Sequence, residues 1–125
     1  LAKEFYAVTQ VDALAISIGN THLEQKKETE VDTKLLSQIE KAVKCPLVIH
    51  GGSGIKNSQL QWLAKNTAVC KINIGTQLRE VFGEKLREYL LNNPTIFDRI
   101  EILSQVYENM APITKRIILN LRADK

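Results

Sequence analysis

Cysteine is scarce in this chain: Cys45 and Cys70 are the only two, each inside or beside an apolar run. Two thiols are too few for a disulfide scaffold and suit a reducing compartment, so the expected setting is cytoplasmic. No segment approaches the roughly 20 apolar residues of a membrane helix, and the N-terminus lacks a basic-then-apolar leader pattern. Long blocks of one charge sign are also missing. The 17 basic and 14 acidic side chains are scattered, and the pairs Lys26–Lys27 and Lys115–Arg116 read as solvated surface. Neither nucleic acid nor a membrane is an expected partner. No linker or low-complexity stretch divides the chain, and it opens on Leu1 without an initiator methionine. The expectation is one unit over residues 1–125 from which upstream chain has been cut away.

The 125 residues, 44% hydrophobic, have the apolar content of an ordinary domain with a modest core. Val11 to Ile18, Pro46 to Ile49 and Ala68 to Ile74 are nearly continuous apolar runs, as in parallel strands covered on both faces. The reading places strands near 11–18, 46–50 and 69–74. Between them, Leu35, Leu36, Ile39 and Val43, then Leu60, Leu63 and Ala64, recur at helical spacing. Thr76 is read as the N-cap of a further helix with the stripe Leu78, Val81, Phe82, Leu86, Tyr89 and Leu90, ended by Asn92-Asn93-Pro94. A last helical pattern begins at Ile100 and meets Pro112, where a kink or break is expected.

Alternating strands and helices fit either an open doubly wound sheet or part of a (β/α)8 barrel. The loop Gly19-Asn20-Thr21-His22 lacks the glycine spacing of a dinucleotide fold. Polar residues and glycines instead follow the C-terminal end of each strand, where a barrel places its chemistry.

His22 follows the first strand and His50 ends the second. Two imidazoles on one rim could ligate zinc, but with no third ligand in sight each reads first as a loop histidine bonded to backbone. Gly51-Gly52-Ser53-Gly54 can turn tightly and present several N–H groups to an anion, or serve as an ordinary turn. Asn73-Ile74-Gly75-Thr76 opens the next helix and offers a second set of amides beside the first, in the manner of barrel phosphate sites.

The runs Val11 to His22, Pro46 to Ile55 and Lys71 to Arg79 resemble, in order and spacing, three successive motifs of the class II fructose- and tagatose-bisphosphate aldolases. The resemblance covers essentially the whole chain. It implies the C-terminal part of a TIM barrel, about three βα units plus terminal helices, with the N-terminal strands absent. It further implies zinc, with a monovalent cation as an option. His22 and His50 match two of three zinc ligands. Gly51, Gly52 and Ser53 match the phosphate loop, together with Leu23, which stands where the family usually has glycine. Asn73, Ile74, Gly75 and Thr76 match the segment that holds dihydroxyacetone phosphate. Arg79 matches an arginine that reaches the other phosphate in part of the family, although it also reads as a surface residue near Glu80 and Glu84.

The implied activity is reversible aldol cleavage of fructose 1,6-bisphosphate, tagatose 1,6-bisphosphate or a related phosphorylated ketose, in a homo-oligomeric parent. Gln77 replaces a common acid, and Gly75 stands where some members carry aspartate, which leaves the substrate open. No catalytic acid/base is matched in this chain; it is expected upstream. A truncated, non-catalytic phosphate-binding or assembly fragment is the alternative, and a phosphate-binding barrel of unrelated chemistry is a third reading.

Overall fold

Three of the apolar runs form three short parallel strands, because each carries β-branched and aliphatic side chains with no charged interruption on the buried face. The computed structural model describes residues 1–19 and 29–121. Its elements run α1 (Ala2–Thr9), β1 (Leu14–Ile16), α2 (Thr33–Ala42), β2 (Leu47–Ile49), a 3-10 turn (Gly52–Gly54), α3 (Asn57–Asn66), β3 (Val69–Ile72), α4 (Thr76–Asn92) and α5 (Arg99–Leu121). The sheet order is β1-β2-β3, with both pairings parallel.

One sheet face carries the core. Leu14 and Ile16, Leu47 and Ile49, and Val69 cluster with Leu36 and Ile39 of α2 and with Leu60 and Leu63 of α3. Each such burial contributes about 1.5–3 kcal/mol relative to exposure. Ala15, Val48 and Lys71 pair across the sheet on the residues between. The register is not uniform: Leu47 pairs with Val69 but Val48 with Lys71, so β3 bulges at Cys70. Cys70 is accordingly exposed while Cys45 is buried, so only one of the two thiols sits in the core.

Local chemistry fixes the helix ends. The Asp32 carboxylate accepts from the Leu35 amide at 2.8 Å and caps α2. At the other end of α2, Glu40 Oε1 accepts from the Ala68 amide at 2.7 Å and ties that helix to the start of β3. Helix α1 was not expected from the apolar pattern; it has no buried residue, although Ala2 and Tyr6 pack against the core.

Two expectations are corrected. Thr76 is the first residue of α4 and not its cap, a position held by Gly75. Helix α5 continues through Pro112 without a break. Proline there deprives the Glu108 carbonyl of its usual donor, and both residues are exposed, so water can take that role. Helices α4 and α5 pack side by side, with the Phe82 and Tyr107 rings 6.5 Å apart and Val106 fully buried.

Candidate functional site

Parallel pairing brings the ends of β2 and β3 together, and with them the residues that follow each strand. The Asn73 amide donates to the Ile49 carbonyl at 2.9 Å and extends the pairing one step past β3. His50, next after β2, is exposed, and its amide approaches the Ile16 carbonyl at 3.4 Å. Gly51 then turns the chain at φ 65, a left-handed conformation that glycine adopts without a Cβ penalty. The turn brings the Gly52 amide to the Asn73 carbonyl at 3.0 Å.

Ser53 reaches furthest across the two loops. Its hydroxyl accepts from the Gly75 amide at 3.2 Å and more weakly from the Gln77 amide at 3.4 Å. Gly75 makes no side-chain cap of its own, so a serine some twenty residues earlier in the chain serves the N-terminus of α4. No local pattern could have announced this, because the capping oxygen comes from another loop. Arg79 folds back from the first turn of α4 over Gly75: a Cβ built there would lie 3.0 Å from Arg79 Nη2.

These groups bound a cleft of about 360 Å³ whose walls include His50, Ser53, Asn73, Thr76 and Arg79. Among the described residues no carboxylate lines it. One guanidinium and the positive end of a 17-residue helix make it suited to an anion. Gly52 and Gly75 have already committed their amides, which takes both out of the set that an anion could meet without rearrangement.

The structure therefore gathers His50, Gly51, Ser53, Asn73, Ile74, Gly75, Thr76 and Arg79 around one cleft, with Gly52 behind it. His22 and Leu23 lie outside the described residues. Among the described residues no three His, Cys, Asp or Glu side chains converge as a metal centre, so His50 alone does not make one. Within the same residues, no helix is long and apolar enough to cross a membrane.

A family model described as fructose-bisphosphate aldolase class-II matches residues 1–125. Among solved structures the chain is similar to the YdjI aldolase from Escherichia coli K12, with 27% identity and a TM-score of 0.70 over 98% of this chain. The chain spans 43% of that aldolase, less than half its length.

Proposed function

Because the chain belongs to the class II fructose-bisphosphate aldolase family, we propose that it supplies the phosphate-holding side of an aldolase site in a larger (β/α)8 barrel. Its share of that barrel is about three βα units and the terminal helices, all one unit over residues 1–125. The observation that carries this reading is the cleft in which Ser53, Thr76 and Arg79 meet at the ends of β2 and β3, with no carboxylate on its walls among the described residues.

The substrate is a phosphorylated ketose, either fructose 1,6-bisphosphate, tagatose 1,6-bisphosphate or a relative. Thr76 and Ser53 hold the phosphate of the fragment that becomes dihydroxyacetone phosphate. Asn73 orients that fragment from the strand end, and Arg79 attracts the second charged group of the substrate. When bound, zinc supplies Lewis-acid polarisation of the ketone. His50 would hold it together with His22 and a third ligand from outside this chain. The proton transfers of carbon–carbon cleavage fall to an acid/base upstream. The parent protein is expected to be cytoplasmic and homo-oligomeric.

Phosphate titration of the parent protein, followed by NMR, tests the reading. Millimolar phosphate should move the amide resonances of Ser53, Gly75 and Thr76, and Arg79→Ala should raise KM for either bisphosphate by about tenfold. Amides that stay still would remove the phosphate assignment.

A further inference from the structure

A second cleft, of about 450 Å³, lies between the start of α3 and the last turns of α5, behind the loop that carries Ser53. Lys56 and Arg116 stand on its walls, and among the described residues no Asp or Glu lines it. Arg116 makes no ion pair within the described residues. Lys56 has one, to Glu30 at 3.3 Å, with both side chains well exposed at 42% and 76%. A pair of that kind is weak and readily exchanged. The remaining wall is mixed: Leu60 and Ile117 are apolar, while Asn57 and Asn120 offer carboxamides. Asn120 is fixed in place by accepting from Gln61 Nε2 at 3.0 Å, a bond that also clamps α5 to α3.

We propose that this cleft is a second anion site, selective for the phosphate group of a small phosphate monoester. Two cations held in one concave, partly apolar wall repel each other and focus a positive field. A phosphate dianion balances both, whereas a carboxylate balances one. The ester body rests on Leu60 and Ile117. The site is distinct from the cleft at the strand ends: His50, Asn73, Thr76 and Arg79 line only that one, and Ser53 and Ile74 form the wall between the two.

Equilibrium dialysis of the full-length protein against glycerol 3-phosphate at low salt tests this. Two equivalents should bind per chain. Lys56→Gln combined with Arg116→Gln should weaken one of them by at least about tenfold and leave KM for the ketose bisphosphate within about twofold. Arg116→Lys, which keeps the charge, should retain both, and acetate should displace neither. If the strand-end cleft is not a phosphate site, the wild type binds one equivalent and the double variant loses it. Unchanged binding in the double variant, or displacement by acetate, overturns the proposal.

Discussion

The Gly52 amide donates to the Asn73 carbonyl at 3.0 Å, and beside the Ser53 hydroxyl this bond fastens the loop after β2 to the end of β3. The approach is close because residue 52 has no side chain. A Cβ there would collide with Ile72 Cγ2 and come within 3.2 Å of the Asn73 carbonyl oxygen. We expect Gly52→Ala to cost about 1–3 kcal/mol of stability in urea unfolding, because backbone and a packed isoleucine must both yield. A variant as stable as the wild type would show that the two loops can separate freely.

Ser53→Ala removes the acceptor shared by the Gly75 and Gln77 amides. The cost should be about 1 kcal/mol in the absence of ligand. Saturating phosphate should return part of that loss, since an anion can take over the freed amides. A melting temperature measured with and without phosphate checks this; equal phosphate shifts in both proteins would count against the idea.

The isolated 125 residues should neither turn over a ketose bisphosphate nor keep zinc through dialysis. Catalytic zinc ordinarily takes three protein ligands, and the proposed function assigns this chain two, His22 and His50. In the full-length protein, His50→Ala should lower the zinc retained after dialysis and abolish cleavage together. Robust turnover by the isolated chain would refute this division of labour.

Alkaline pH should loosen the pairing of α4 with α5. Partial burial, and after it the Glu101 carboxylate, hold the Tyr89 phenol above its ordinary value of 10.0. The unfolded chain therefore releases this proton first, and stability falls as pH rises from 10.0 through the raised value. Lys85 acts in the same direction. Its hydrogen bond to Glu88, and then the charge of that carboxylate, raise the ammonium above 10.5, so its contribution is present below that value and lost as pH climbs through the raised one. Denaturant melts at about pH 8 and 11 should show a smaller alkaline loss for Tyr89→Phe than for the wild type.

The strands and their parallel order were legible because Leu14 to Ile16, Leu47 to Ile49 and Val69 to Ile72 lie inside conspicuous apolar runs. The helices between them were legible from Leu36, Ile39, Leu60 and Leu63, all of which are buried. Helix α1 was not, because it buries nothing completely and so leaves little period in the sequence. The cap of α4 falls on Gly75 rather than on Thr76, which the local sequence does not reveal because the accepting oxygen, Ser53 Oγ, is distant in sequence. That the residues after β2 and β3 share one rim was legible, since strand-end position follows from the parallel reading. Their hydrogen-bond commitments were not: a sequence names the amides of Gly52 and Gly75 but not the oxygens that occupy them.

The bulge at Cys70 sets which side of the sheet each later residue of β3 occupies. Strict alternation from Val69, which faces the core, would send Ile72 away from it. The extra residue reverses that parity, so Ile72 packs against the core and Asn73 comes to line the cleft. A one-residue deletion at Cys70 would therefore be absorbed without turning the strand over, because Val69, Lys71 and Ile72 would then alternate regularly opposite Leu47, Val48 and Ile49. What such a deletion would take away is only the exposed surplus residue, so β3 would trade its bulge for an even pleat and keep Ile72 on the core face.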